Sequence, residues 1–308
     1  MQFSALRYFT ETLRLGSIRR ASEVLHVTPS AISRQIALLE QDFGAPLFER
    51  HALGMRLTAA GEVFARQALS TQRDFDRLRS DLDDLQNLRR GVVRISSMEG
   101  AVSGLVYRAM REFSGEFPGI NYEVVVGGSE VQVVALAREE FDLSIAFNPP
   151  PHKDVTLEHV MSDPVCAILH PSHPLAAKRA LKLADLADQR IALLDHTFVT
   201  RTLLDSAAAS EGVLIPATLT INHIGHAINY ARQRMGISFA PRHIVQDEVD
   251  SGALKALPVD HPLLSSARTV LCRHKHRTPT RAAQAFLTLL KKHFQALERR
   301  PRSRPRRR

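Results

Sequence analysis

The side chains with the clearest chemistry lie on one face of a helix predicted over residues 29–43. Positions i, i+3, i+4 and i+7 of a helix share a face. Here that face carries Ser30, Ser33, Arg34 and Ala37. Short hydroxyl groups and one guanidinium suit contact with base edges and phosphates. The pattern therefore predicts a helix that reads DNA.

Capping residues place this helix second in a helix-turn-helix. Thr28 can cap it and Pro29 occupies its first position, where a missing N–H costs nothing. Ser17 can cap the preceding helix, and His26-Val27 forms the turn. The inward positions of the two helices are apolar and comprise Ile18, Ala21, Val24, Leu25, Ile32, Ile36 and Leu39.

A two-stranded wing is predicted after the helix breaks at Gly44-Ala45-Pro46. Residues 47–50 and 55–57 can pair as strands around Gly54. The wing adds two arginines to the predicted DNA-binding set, which comprises Thr28, Pro29, Ser30, Ser33, Arg34, Gln35, Arg50 and Arg56.

The N-terminal segment resembles the DNA-binding domain of LysR-type transcriptional regulators. The resemblance is carried by Phe3-x-x-Leu6, Gly16-Ser17, Ala21-Ser22, the run from Val27 to Ile36, Leu39-Glu40, Leu47-Phe48-Glu49-Arg50 and Leu57-Thr58-x-x-Gly61. Such a dense match is far more specific than a bare helix-turn-helix pattern. It implies a homodimer or homotetramer that binds double-stranded DNA.

The net charge of +9 comes mainly from the C-terminus. Residues 299–308 hold seven arginines and no acid, whereas the first 57 residues hold seven arginines against five acids. A Pro/Arg-rich segment cannot build a core, so residues 298–308 are predicted to be disordered. This tail is either a solvated terminus or an arm that binds phosphates without sequence preference.

Residues 59–90 are predicted to form a linker helix with a coiled-coil seam. The seam positions follow one another at intervals of 4, 3, 4, 3, 4 and 3 residues and comprise Phe64, Ala68, Thr71, Phe75, Leu78, Leu82 and Leu85. Either this face packs on its own domain or it meets a partner helix. LysR-type proteins use this helix for dimerisation, so the resemblance favours the partner helix.

The remainder of the chain reads as an α/β domain. Strands are predicted at 92–96, 122–126 and 142–147, with helices at 101–116 and 129–140 between them. A second unit follows from about residue 165 and includes a helix predicted near 183–187, and a final helix spans 280–297. Alternating strands and helices predict a mostly parallel sheet with covering helices.

This layout resembles the effector-binding domain of the LysR family, which looks like a two-lobed type 2 periplasmic binding protein. FPGINYEVV, LAREEFDLSIA, HPLA and MGISFAP match family landmarks. Glu139-Glu140 departs from them where the family often has Gly. The implied organisation is a DNA-binding domain at 1–58, a linker at 59–90 and an effector domain at 91–297. Lobe I would take about 91–163 and 268–297, and lobe II about 164–267.

A small effector is expected between the lobes, where strand-to-helix loops meet and helix N-termini favour anions. Ser97 and Ser129 are the leading candidates because each can donate a hydroxyl beside a helix start; N-capping is their alternative role. A carboxylate-bearing effector follows as a weak expectation. The full candidate set comprises Ser97, Met98, Gly128, Ser129, Phe147, Asn148, His196, Thr197, His223 and His226.

Histidines and cysteines give weaker signals. His223-x-x-His226 could place two imidazoles on one helix face for a metal. No third ligand is near in sequence, so a site without metal or cofactor is favoured. Cys166 and Cys272 could form a redox pair if their strands lay side by side; buried inert thiols are the default.

Composition and motifs exclude other protein classes. No run approaches the ~18 apolar residues of a membrane span, and Met1-Gln2-Phe3 leads into an amphipathic helix rather than a signal peptide, so we expect a cytoplasmic protein. Gly-x-Ser-x-Gly, phosphate-binding glycine loops and Cys-x-x-Cys are absent, which argues against an enzyme. The sequence thus predicts a ligand-responsive transcriptional regulator; a solute-binding protein with an accessory helical domain is the alternative.

Overall fold

The structure, a computed structural model, describes residues 3–51, 54–84 and 90–299. The chain divides into two compact units, Met1–Leu82 and Asp83–Arg308, which are described separately. None of the described helices is both long enough and apolar enough to cross a membrane.

The first unit is a small helical domain with a β-wing. Its elements are α1 (Phe3–Leu15), α2 (Ile18–Leu25), α3 (Pro29–Phe43), β1 (Phe48–His51), β2 (Gly54–Leu57) and α4 (Ala59–Asp84). The predicted caps are confirmed: the Ser17 hydroxyl accepts a hydrogen bond from Arg20 N, and the Thr28 hydroxyl accepts one from Ala31 N. β1 and β2 pair antiparallel, as predicted for the wing.

The core of this unit is built by one face of each helix. Ile32, Ile36 and Leu39 of α3 are buried, as predicted. Phe9 is fully buried, and its ring lies 4.9 Å from that of Phe48 and 4.7 Å from that of Phe64, measured between centroids. One inward position was predicted wrongly. Val24 is 51% exposed, because it lies about 100° around α2 from Leu25, at the edge of the apolar stripe.

The described part of the second unit contains three sheets, of five, three and two strands, distributed over two lobes. Lobe I has the strand order β4-β3-β5-β12-β6. Its strands are β3 (Gly91–Ser97), β4 (Ile120–Val126), β5 (Leu143–Phe147), β6 (Val155–Ser162) and β12 (Arg268–His274). Its helices are α5 (Glu99–Ala101), a π-helical turn (Val102–Val106), α6 (Tyr107–Glu116), α7 (Ser129–Ala137) and α12 (Arg281–Arg299).

Lobe II has β7 at the centre of its main sheet, flanked by β10 and β11. Its strands are β7 (Val165–Leu169), β8 (Ala192–Leu194), β9 (Leu219–Ile221), β10 (Ser238–Pro241) and β11 (Lys255–Pro258). Its helices are α8 (Val199–Ser210), α9 (Ile224–Arg232), α10 (Gln246–Asp250) and α11 (Pro262–Ser265). Three 3-10 turns are also present: Pro174–Ala177, Leu183–Leu186 and Arg242–Val245.

The sheets are mixed rather than mostly parallel. β3 pairs parallel with β4 and β5, as the predicted strand-helix-strand order requires. β12 runs antiparallel to β5 and β6, and β7 runs antiparallel to β10 and β11. The chain crosses between the lobes from β6 to β7 and returns before β12. The returning strand therefore enters the lobe I sheet in the opposite direction.

Two local predictions need correction. The helix predicted over 129–140 ends at Ala137, and Glu139 takes the left-handed conformation (φ 60°) where the family often has Gly. Arg277 forms an ion pair with this carboxylate. The helix predicted near 183–187 is a single 3-10 turn.

The proposed pairing of the two cysteines is excluded by strand order. Cys166 lies on β7 of lobe II, whereas Cys272 lies on β12 of lobe I, so their strands are not neighbours. Both cysteines are buried, and neither forms a disulfide. Burial raises the pKa of Cys272 to about 12.

Candidate functional site

The face of α3 that is predicted to read DNA is positioned by a tight turn between two capped helices. His26 ends α2 in the left-handed conformation (φ 54°), which histidine tolerates better than most residues. The turn allows Thr28 to cap α3 two residues later. The Thr28 hydroxyl lies 3.3 Å from Ala31 N and 3.1 Å from the Ser30 hydroxyl.

Most of the predicted DNA-binding residues are solvent-exposed. Thr28, Pro29, Ser30, Ser33, Arg34 and Ala37 are exposed on α3, and Gln35 is half-buried. Arg56 is exposed on β2, opposite Glu49 in the wing register. Arg50 lies on β1 opposite Met55. The side chains whose types suggested DNA contact therefore form one polar surface on α3, with Arg56 on the wing.

Two contacts that the sequence did not reveal fix the wing. The Glu40 carboxylate accepts hydrogen bonds from Leu47 N (2.7 Å) and Phe48 N (3.2 Å), which ties the end of α3 to the start of β1. Gly54 has φ 125°, and a Cβ there would lie 2.5 Å from Gly16 O. Only glycine fits such a close approach. The Gly54 signal was visible in the sequence, whereas the role of Glu40 depends on where β1 folds back.

The heptad seam of α4 splits into two parts. Ala68 is 2% exposed in the core of the first unit, and the Phe64 ring packs against Phe9 and Phe43. Phe64 and Ala68 therefore pack on their own domain. Of the two interpretations of the seam, packing on the same domain holds for the first heptad. Thr71 is half-buried, while Phe75 and Leu78 are 42% and 53% exposed. Leu85 lies outside the described residues, as does the side chain of Leu82.

A cavity of about 340 Å³, here called the cleft cavity, lies between the two lobes of the second unit. Lobe I contributes the start of α5, the β4–α7 loop and the end of β5, and lobe II contributes the β8–α8 and β9–α9 loops. The cavity is lined by Met98, Glu99, Gly100, Val126, Gly127, Gly128, Ser129, Phe147, Asp195, Thr197, Phe198, Val199, Thr200, Asn222 and Ile224.

The two leading serines differ in placement. Ser129 lines the cavity, and its oxygen accepts a hydrogen bond from Phe147 N at 2.9 Å, which joins two lining residues. Ser97 is fully buried, does not line the cavity, and donates to Met98 O at 3.0 Å. Asn148 also lies off the lining, in the left-handed conformation (φ 45°). Five of the candidates line the cavity: Met98, Gly128, Ser129, Phe147 and Thr197.

The three candidate histidines lie outside the cavity lining. His196 is exposed, with Nδ1 3.6 Å from an Asp205 oxygen. The rings of His223 and His226 are 4.4 Å apart, measured between centroids. Among the described residues, no group of three His, Cys, Asp or Glu side chains is arranged to hold a metal.

Glu99 forms a contact across the lobes that the sequence could not predict. This lobe I carboxylate accepts hydrogen bonds from Ile224 N (3.2 Å) and Gly225 N (3.5 Å), at the start of α9 in lobe II. It also lies 2.7 Å from Nδ1 of His223. The carboxylate therefore satisfies free N–H groups at the start of α9. We call these contacts the Glu99 clasp. The sequence had placed an anionic effector at other helix starts, those that follow Ser97 and Ser129.

The lining of the cleft cavity is acidic and apolar. It contains the carboxylates of Glu99 and Asp195, and no lysine, arginine or histidine among its described residues. Hydrogen bonds from the Thr197 hydroxyl (2.5 Å) and backbone N–H (2.9 Å) lower the pKa of Asp195, which keeps it ionised. This lining disfavours the carboxylate-bearing effector expected from the sequence, because an anion would meet two like charges.

Comparison with protein families identifies both units. Residues 3–62 match the bacterial regulatory helix-turn-helix proteins of the lysR family. Residues 86–295 match the LysR substrate binding domain. The chain belongs to the LysR family. It is a LysR-type DNA-binding transcriptional regulator with a C-terminal effector-binding domain, and the solute-binding alternative is thereby set aside.

Individual LysR-type relatives match most of the chain in sequence. The transcriptional regulator GltR of Bacillus subtilis (strain 168) is 25% identical, covering 96% of this chain and 98% of that protein. A RuBisCO operon transcriptional regulator of Allochromatium vinosum is 28% identical, covering 83% and 84%. Both relatives are transcriptional regulators.

Solved LysR-type structures share the fold. Full-length CbnR complexed with its target DNA superposes with a TM-score of 0.67 at 18% identity, covering 96% of this chain and 100% of that chain. A full-length OxyR variant from Pseudomonas aeruginosa gives 0.70 at 19% identity, with 99% of both chains covered.

Proposed function

We propose that the exposed face of α3, together with the wing, forms the DNA-contacting surface of this regulator. The observation that supports it is the exposed set Ser30, Ser33 and Arg34 on a helix whose opposite face is fully buried. A guanidinium can donate two hydrogen bonds to a guanine edge, and neighbouring hydroxyls can reach phosphates. Thr28, Pro29, Gln35, Arg50 and Arg56 complete the proposed set.

Duplexes selected by the wild-type chain from a random pool would test this surface. Arg34→Ala should weaken binding to the selected duplex by about tenfold to a hundredfold, since a good bidentate contact contributes about 1–3 kcal/mol. Arg14→Ala is the matched control, because Arg14 is exposed on α1 and paired with Glu11. Unchanged affinity and an unchanged selected sequence in Arg34→Ala would remove Arg34 from the interface.

We infer that the effector occupies the cleft cavity and is a neutral or cationic small molecule with an apolar body. The Glu99 clasp is the observation that supports this inference. It joins the lobes beside the cavity, and its carboxylate belongs to the lining. A ligand that binds one lobe arrangement better shifts the population of arrangements, and this shift couples the cavity to DNA binding.

Binding of n-butylamine, n-butanol and sodium butyrate to the full chain, followed by calorimetry, would test the cavity. We expect n-butylamine to bind most tightly of the three. Gly127→Leu should abolish that binding, because Gly127 lines the cavity and a Cβ there meets no atom within 4 Å. Gly115→Leu is the matched control, since Gly115 is exposed on α6 with equal space. Tightest binding of butyrate, lost in Gly127→Leu, would overturn the charge assignment.

We further propose that the protein acts in the cytoplasm and catalyses no reaction. We also propose that the chain self-associates through the distal half of α4. The exposed Leu78 on a long helix supports association, since apolar seam positions gain from a partner helix. Leu78→Asp should shift the sedimentation coefficient towards the monomer. An unchanged oligomer would assign association to other surfaces.

A further inference from the structure

A second cavity system lies at the crossovers between the lobes, away from the cleft cavity. It consists of two neighbouring cavities of about 240 Å³ each, which share His243, Gln246 and Leu297 as lining residues. Together they are called the hinge cavity. No residue of the described cleft lining takes part in it.

A buried carboxylate organises this region. Asp163, in the β6–β7 crossover, is 2% exposed and accepts three hydrogen bonds. The donors are His243 N (3.1 Å), His243 Nδ1 (2.5 Å) and the Thr269 hydroxyl (2.6 Å). His243 follows β10 of lobe II, and Thr269 lies on β12 of lobe I. Asp163 therefore ties the two lobes together at the hinge.

The second nitrogen of His243 is the unexplained feature. The His243 side chain is 6% exposed, and its Nε2 has no hydrogen-bond partner within the part of the chain that the structure describes. A buried polar atom without a partner is rare and requires an explanation, such as a bound ligand or ordered water. His243 lines both parts of the hinge cavity.

The Asp163 contact fixes the chemistry of that nitrogen. An ionised carboxylate only accepts hydrogen bonds, so Nδ1 of His243 must carry a proton. Nε2 then either accepts from a ligand, when the ring is neutral, or donates to one, when the ring is an imidazolium. An anionic ligand requires the donating form, because a carboxylate only accepts hydrogen bonds.

The ionisable groups around His243 are of both signs. Those that line the hinge cavity with His243 are Arg108 on α6, Arg242 beside it, His293 and Glu298 on α12, and Asp163. Asp163 is already engaged by three donors, and Glu298 is the one further carboxylate among these described lining groups. Arg108 is ion-paired with Asp247, and Nε2 of His293 lies 3.0 Å from a Glu112 oxygen. Leu105, Leu297 and Met161 supply apolar walls.

We propose that the hinge cavity is a second effector site, which binds a small carboxylate through Nε2–H of His243, with Arg242 and the Asp247-paired Arg108 among its lining residues. The site differs from the cleft cavity in location and in ligand charge. It therefore allows the regulator to respond to two chemically distinct small molecules.

One helix connects the two cavities. Glu99 and Gly100 at its start line the cleft cavity, whereas Gly104, Leu105 and Arg108 line the hinge cavity. The π-helical turn Val102–Val106 lies between them. Such turns are local irregularities that often occur at functional sites. A ligand in the hinge cavity thus contacts the same segment that carries Glu99 of the Glu99 clasp. This shared segment couples the two sites.

Two variants separate the hinge site from the structural role of Asp163. His243→Asn keeps an N–H donor near Asp163 in place of Nδ1–H but removes Nε2. Gly104→Leu fills the hinge cavity, because Gly104 lines it and a Cβ there meets no atom within 4 Å. Gly115→Leu on the same helix, outside the cavity lining, is the control.

Calorimetric titration of the full chain with sodium butyrate tests the proposal, with butyramide as the uncharged probe. We expect saturable butyrate binding with proton uptake, weakened at least about tenfold in His243→Asn and Gly104→Leu, the equivalent of 1.4 kcal/mol. Binding should be unchanged in Gly115→Leu and in the cleft variant Gly127→Leu. Unchanged binding in Gly127→Leu would show that butyrate binds outside the cleft cavity, whatever the cleft effector is.

Three results would overturn the hinge site. Butyrate binding that survives both His243→Asn and Gly104→Leu would place the anion elsewhere. Equal binding of butyramide and butyrate would remove the charge assignment. No saturable binding of either probe would assign Nε2 of His243 to an ordered water only.

Discussion

The cleft cavity and the hinge cavity lie in the same α/β unit but differ in electrostatic character. The cleft lining holds Glu99 and Asp195 and no cationic side chain among its described residues. The hinge lining holds Arg108, Arg242 and two histidines together with the carboxylates of Asp163 and Glu298. The same pair of lobes therefore presents a site suited to donors or cations and another suited to anions.

The two cavities also differ in how the chain builds them. The cleft is formed by strand-to-helix loops, which cluster at the carboxyl ends of parallel strands in any sheet of this kind. The hinge is formed where crossovers, a 3-10 turn and the C-terminal helix meet. Its key pair, Asp163 and His243, is separated by 80 residues. Loop sites are thus accessible to sequence reasoning, whereas hinge sites require the tertiary structure.

The largest expected effect concerns the carboxylates of the two regions. Asp163→Ala should lower the free energy of unfolding by about 3–5 kcal/mol, since it leaves His243 and Thr269 buried without their acceptor. Asp195→Ala in the cleft should change it far less, because Thr197 remains exposed to water. Urea unfolding followed by circular dichroism measures both values.

The ratio of these two losses sharpens the comparison. A large loss in Asp163→Ala alone would establish the hinge as the structural link between the lobes. Equal losses would contradict the distinction between a buried hinge network and a solvated cleft rim. Asp163→Asn serves as the isosteric control, because it keeps an acceptor for one donor.

A smaller effect is expected for the Glu99 clasp. In Glu99→Gln, the amides of Ile224 and Gly225 lose a charged acceptor, and such hydrogen bonds contribute about 1.5–3 kcal/mol. Their hydrogen exchange should accelerate by about tenfold or more, while the core amides of β3 keep their rates. Glu130→Gln is the matched control, since Glu130 lies exposed in the first turn of α7. Equal exchange rates at Ile224 in the wild type and in Glu99→Gln would show that the lobes are not held by this contact.

The sequence predicted the first unit better than the sites of the second. Thr28 and Ser17 act locally as caps, so their roles follow from neighbours within three residues. The exposed face of α3 follows from helical periodicity alone. In contrast, the sequence placed both Ser97 and Ser129 after strands, whereas Ser97 is the last residue of β3, Ser129 begins α7, and only Ser129 lines the cleft cavity. The Ser97 hydroxyl turns to Met98 O, a choice set by packing that no local pattern encodes.

Long-range contacts explain the remaining errors. The Glu99 clasp joins residues 125 positions apart, so nothing near Glu99 in the sequence indicates its partner. The antiparallel β12 returns from lobe II after more than a hundred residues, and its position between β5 and β6 depends on the complete crossover. Fold class follows from alternation of strands and helices, whereas strand direction at a crossover does not.

The smallest expected effect concerns the two thiols, one in the sheet of each lobe. If oxidation joined or modified these thiols, the free energy of unfolding would change. We expect no such change: removal of reductant should alter the free energy of unfolding by less than about 0.5 kcal/mol, which is within the range of neutral changes. Cys166 and Cys272 lie on strands of different sheets, so they cannot meet without unfolding.

Alkylation by iodoacetamide at pH 8 provides the direct measurement for Cys272. Because burial raises its pKa to about 12, only about one molecule in 10,000 carries the thiolate at that pH. Native Cys272 should therefore remain unmodified under conditions that label the urea-unfolded chain completely. Rapid native labelling at Cys272 would mean that β12 opens readily between β5 and β6. In that case the hinge network of Asp163, His243 and Thr269, which includes a β12 residue, could not hold the lobes as firmly as the Asp163→Ala prediction requires.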